Sequence, residues 1–142
     1  MLGMVGTLVI LVGSSIYDIF KKRIPLQILL VGGVWAVICL VISVVTSGVD
    51  ALYSGLCGLL PGAGVLLLGY LTDHKVGYGD GILLMIIGLL EGAQKVFLIF
   101  CAGLFLQSLL AVILLIMKKA DKQTQIPFVP FLFLARIILL FA

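Results

Sequence analysis

Apolar residues in this chain come in long runs, and most of the charged residues fall in the breaks between them. Leu2–Ile19, Leu26–Val45, Ala51–Leu71 and Val96–Met117 are the long runs, whereas Ile82–Leu90 and Phe131–Phe141 are short. A helix needs about 20 apolar residues to cross a hydrocarbon core of about 30 Å, with a usable range of about 17 to 25. The long runs fall within that range. Backbone groups in lipid must satisfy one another, so each run predicts a helix. The short runs bring the count to six segments, and their length leaves open how far each one crosses. No positive stretch precedes the first run and no small-residue cleavage site follows it, so it is expected to be a span and not a removed signal.

Composition places these helices in a bilayer. Of 142 residues, 63% are hydrophobic and 11% charged, with mean hydropathy +1.39. A soluble domain carries about a quarter charged residues, and this chain has too little polar surface to cover such a core in water. The expectation is an all-α, polytopic membrane protein forming one domain over residues 1–142. Cys39, Cys57 and Cys101 all sit inside apolar runs without a C-x-x-C pair, so they read as small packing residues and not as a zinc site. The net charge of +3 has no basic stripe interleaved with exposed aromatics, which argues against nucleic acid as a partner.

The charge instead orients the bundle. Lys21, Lys22, Arg23, Lys75, Lys118, Lys119 and Lys122 fall in the first, third and fifth connections, while the opposite connections hold Lys95 with Asp50 and Glu91. Cytoplasmic loops carry the excess of Lys and Arg, so both termini are expected outside, with Asp18 and Asp80 at the cytoplasmic edge. Arg136, near the end of the last run, is expected to snorkel outward.

Two acids stand out. Asp18 closes the first run, where the plain alternative is an interfacial carboxylate paired with Lys22 at i,i+4. Asp80 ends Gly77-Tyr78-Gly79-Asp80, where the plain alternative is a helix N-cap. Gly77 and Gly79 permit positive φ and close approach of another segment. A helix from Asp80 to near Lys95 is about 24 Å long, short enough for Asp80 to be sunk beside Asp18. Two carboxylates held together share a proton, since like charges in contact cannot both ionise, and such a pair can activate water against a peptide bond. The pair titrates as a unit, so neither acid is assigned a fixed role.

Three separated signatures resemble the type IV prepilin peptidases, membrane aspartyl proteases of the G-x-G-D class. Asp18-Ile19-Phe20-Lys21-Lys22-Arg23-Ile24-Pro25 is similar to the first motif, and Gly77-Tyr78-Gly79-Asp80 to the second. Ile126-Pro127-Phe128-Val129-Pro130-Phe131 is similar to the Pro-Phe-x-Pro-Phe segment before the last helix. The resemblance implies cleavage of prepilin or pseudopilin leader peptides after a glycine, at the cytoplasmic face of the inner membrane. It maps catalysis onto Asp18 and Asp80 and implies a substrate groove near Gly77, Gly79, Pro127, Phe128 and Pro130. Ile82 stands where the family usually has Lys, and Leu26 follows Ile24-Pro25 where Asn is common. No cysteine-rich insertion follows Arg23, so peptidase activity without bound zinc, cofactor or methyl transfer is expected.

Other features have plainer readings. Asp73 and His74 read as solvated loop charges, and Gly58-x-x-x-Gly62 and Ala51-x-x-x-Gly55 as helix-packing stripes. Pro127 and Pro130 suit either a helix start or irregular backbone beside a wet groove. Two competing functions remain open at this point: a small proton- or ion-conducting bundle, and a catalytically silent assembly scaffold. Against the first, no repeat pairs two broken helices, and both acids lie at one edge.

Overall fold

The computed structural model describes residues 2–21, 24–72, 77–117 and 126–141. It contains α1 (Leu2–Lys21), α2 (Leu26–Ser47), α3 (Val49–Leu71), α4 (Tyr78–Glu91), α5 (Ala93–Ile116) and α6 (Val129–Phe141). All regular structure among the described residues is helical. Four of these helices, α1, α2, α3 and α5, are long and apolar enough to cross a membrane. The bundle's outside is covered with side chains such as Phe20, Val45, Leu60 and Ile116, which water would not tolerate. The protein is a multi-pass membrane protein.

The short helix α4 is the hub. It packs against α1, α2, α3 and α5, and its Leu83, Leu84 and Ile87 are fully buried. Its closest neighbour is α3, because glycines let the two backbones approach. A Cβ on Gly62 would lie 2.6 Å from Gly81 O and from Met85 N, and a Cβ on Gly58 would strike the Gly88 backbone. The Gly58-x-x-x-Gly62 stripe is thus a packing face. Gly55 meets α2 instead, where a Cβ would be 2.6 Å from Leu40 Cδ1. Of the cysteines only Cys39 packs inside; Cys57 and Cys101 are on the exterior, where the expected packing role fails. Their places on α3 and α5 face away from the interior that glycines occupy.

Single glycines make the tight reversals. Gly48 (φ 78°, ψ −160°) separates α2 from α3, and Gly92 (φ 84°, ψ 171°) separates α4 from α5. That region of backbone space is essentially open to glycine alone. Gly92 corrects the expected continuation of the fourth helix toward Lys95: α4 ends at Glu91 after 14 residues, and Lys95 belongs to the first turn of α5. At about 1.5 Å per residue, α4 and α6 are each about 20 Å long, well short of the hydrocarbon thickness.

Helix direction sorts the ends of the bundle. Gly3 lies beside Leu90, where a Cβ would be 2.6 Å from the Leu90 carbonyl oxygen, so α1 begins where α4 ends. The start of α6 meets the end of α1, as shown below. The start of α1 and the end of α6 therefore lie at the end of the bundle opposite the two aspartates.

Candidate active site

One face of α1 carries Thr7, Leu11, Ser14 and Asp18 at steps of four, three and four, and all are buried. Asp18 is thereby aimed into the bundle and not at the surface, and is 7% exposed. Lys22, its proposed i,i+4 partner, lies outside the described residues, as do Arg23, Asp73 and His74. One turn deeper, Ser14 Oγ is buried without a hydrogen-bond partner among the described residues.

The partner of Asp18 comes from the far end of the sequence. The Val129 N–H donates to Asp18 Oδ2 at 3.1 Å, and the Phe128 N–H also bonds to this carboxylate. The first amides of a helix have no acceptor within it, so a carboxylate placed there satisfies them. Pro127 and Pro130 have no N–H to offer, which leaves Phe128 and Val129 as the donors of this segment. The Phe128 carbonyl accepts from Phe131 N–H at 3.0 Å and starts α6. Its ring packs edge-on against Phe100 of α5 with centroids 6.3 Å apart. The Phe128 side chain is buried beside the Asp18 seat. Pro127 and Pro130 are half-buried at the same edge.

Asp80 is the third residue of α4, not its N-cap, because the helix starts earlier at Tyr78 with Gly77 as the capping residue. Gly77 has φ −66°, and positive φ among the described glycines occurs at Gly48 and Gly92, so the expected positive φ at Gly77 and Gly79 is absent. Close approach is what these glycines provide. The Asp80 carboxylate folds back over Gly77, where a Cβ would be 2.9 Å from Oδ2. At Gly79 a Cβ would lie 3.2 Å from Ile24 Cδ1, so Ile24, six residues past the first acid, packs on the first turn of α4 beside the second. Asp80 lies within the electrostatic field of Asp18 and is partly open to the surroundings.

The structure thus brings Asp18, Asp80, Gly77, Gly79, Pro127 and Phe128 to one end of the bundle, with Pro130 in the first turn of α6. One acid is fixed by backbone amides and the other stands at the tip of an inset helix. Two neighbouring carboxylates of this kind are able to share a proton.

The opposite end holds an ion pair that the sequence did not announce. Arg136 Nε and Nη2 donate to Glu91 Oε1 at 3.0 and 2.8 Å. Both side chains are buried, so Arg136 does not snorkel outward. An acid within reach removes the need to seek water.

A sequence model described as the type IV leader peptidase family matches residues 5–116. No curated protein and no solved structure matches the chain.

Proposed function

This chain belongs to the type IV leader peptidase family, and from that premise we propose that it cleaves prepilin-type leader peptides with Asp18 and Asp80 as its catalytic acids. The family makes it a protease with a prepilin-type substrate. The observation that carries the finer assignment is the meeting of three distant sequence signatures at one end of the bundle: Asp18, Gly77–Asp80 and the Phe128–Val129 amides.

In the proposed mechanism the two acids share one proton. The ionised member draws a proton from water as it attacks the scissile carbonyl, and the protonated member donates to the carbonyl oxygen. The nitrogen then leaves with a proton from the pair, and a hydroxyl of the collapsing gem-diol returns one to it, restoring the shared proton. Burial of Asp18 and its amide donors fix its carboxylate in place, while the more open Asp80 meets incoming water and peptide. Cleavage falls after the leader glycine, on the cytoplasmic side, a reading that the Lys and Arg distribution along the sequence supports. Gly77 and Gly79 leave the room that the Asp80 carboxylate and the Ile24 side chain occupy.

The test is reconstitution in nanodiscs with a prepilin-type substrate that has a basic leader ending in glycine before a long apolar helix. A single cut after that glycine, located by mass spectrometry, is the expected product. Absence of any cut with such substrates would overturn the assignment.

Val129→Pro probes the Asp18 seat in the same assay. Proline is favoured at the first position of a helix, so α6 is expected to form, but the amide that bonds Asp18 is removed. A hydrogen bond to a charged group contributes about 1.5–3 kcal/mol, so kcat is expected to fall about 10- to 100-fold with the protein still folded. Unchanged kcat would mean that this amide does not position Asp18.

A further inference from the structure

We propose that Glu91 and Arg136 form a clamp that sets α6 against α4 and thereby holds Asp18 and Asp80 at working distance. This rests on the peptidase assignment above and names two positioning residues for it. Neither residue approaches the reacting atoms.

The two catalytic acids depend on different helices. Asp80 is part of α4, whereas Asp18 is held by the first amides of α6. Yet α4 and α6 are not close-packed neighbours: α6 lies against α1 and α5, and α4 against α3, α2, α5 and α1. No glycine stripe locks α6 to α4 in the way that it locks α3 to α4. Their direct polar tie among the described residues is Glu91 with Arg136.

The tie is built for one geometry. Two guanidinium nitrogens converge on Glu91 Oε1 at 3.0 and 2.8 Å, and the two side chains are 2% and 6% exposed. Glu91 Oε2 faces Lys95 at 3.8 Å, a longer contact to a side chain that is 67% exposed. Glu91 is the last residue of α4, fixed by the Gly92 reversal, so it cannot slide without moving the whole helix. Arg136 lies two turns above Val129 on α6, about 10 Å along its axis. A shift of α6 that breaks the pair also carries the Phe128 and Val129 amides, and with them Asp18. Unpaired charge buried inside the bundle is strongly unfavourable, which resists such a shift.

A neutral hydrogen-bonded pair should keep the contact without the charge. Arg136→Gln alone leaves the buried Glu91 carboxylate without its close guanidinium and with the longer contact to exposed Lys95 as its remaining ion pair, whereas Glu91→Gln with Arg136→Gln leaves two amides able to bond each other. Cleavage is followed in nanodiscs, and the helix spacing is followed by spin labels at Leu60 on α3 and Leu134 on α6. Both sites are exposed, the α3 label reports on α4 through the glycine interlock, and the native cysteines are replaced in this background.

Arg136→Gln is expected to lower kcat about 100-fold with KM within threefold, and to shift or broaden the label distance. The double variant should recover kcat to within tenfold of wild type and restore the distance. An unchanged distance in Arg136→Gln overturns the clamp, and so does a double variant no better than the single one. A changed distance with unchanged kcat overturns its role in positioning. Should the wild-type protein cut no leader at all, the peptidase assignment fails, and the spin-label distances still decide whether the clamp exists.

Discussion

Asp18→Asn and Asp80→Asn are each expected to lower kcat for leader cleavage by about 10³-fold or more, close to the limit of detection. Asparagine matches aspartate in shape, so packing is preserved. At position 18 its carbonyl oxygen is still able to accept the Val129 N–H. What is lost is the ability to exchange a proton with water or with the scissile amide. Because the two acids act as one unit, their effects should not add: the double variant is expected within about tenfold of either single one. Thermal unfolding in detergent checks that the variants stay folded, and initial rates of product formation report the chemistry. If either single variant retains more than a tenth of the wild-type kcat, that carboxylate does not hold or move the proton.

Much of the fold was legible because lipid imposes a simple rule. An uninterrupted apolar run has to become a helix, and all six runs did so, within a few residues of their apolar limits. The mismatches are confined to polar ends. Tyr78 and Gly79 are helical ahead of the expected start at Asp80, because a helix can begin in polar sequence when its next turn is buried. The stop at Gly92 was hidden for the opposite reason. Glu91-Gly92-Ala93-Gln94-Lys95 passes for a continuing helix by composition, and the break depends on a backbone angle that one glycine allows.

The candidate site was legible in its side chains and not in its backbone. Asp18 and Asp80 stood out as acids beside membrane segments, each within a recognisable motif. The donors on Asp18 are amides of Phe128 and Val129, and an amide carries no letter of its own. The flanking prolines were the available sign, since they mark where ordinary donors are missing. Phe128, expected near substrate, also packs its ring edge-on against Phe100, a contact that depends on which way a ring turns. Arg136 illustrates a third kind of gap. An arginine near the end of an apolar segment is reasonably assumed to reach for water, but its acid partner lies 45 residues away in sequence. Pairing at that separation follows only from the arrangement of α4 and α6.

That arrangement depends in turn on the contact between α3 and α4, and Gly88→Leu is expected to destroy it. A Cβ on Gly88 would strike the Gly58 carbonyl, and a Cβ on Gly58 would strike Gly88 in return. Both obstacles are backbone, which cannot rotate away as a side chain does. Overpacking a core by a few methylenes costs about 1–3 kcal/mol where side chains can adjust, and the cost here should exceed that range. The neighbouring contacts offer no slack, since a Cβ on Gly81 would be 2.7 Å from Leu66 Cγ. Without α3 against it, the inset α4 loses its closest support, and Asp80 loses its position. Gly64→Leu is the matching control on α3, because nothing lies within 4 Å of a Cβ there and the site is exposed. The control should remain folded and active, whereas Gly88→Leu should yield little monodisperse protein in detergent and no leader cleavage. A well-folded, active Gly88→Leu protein would show that the two backbones do not meet, and the placement of Asp80 would fall with that contact.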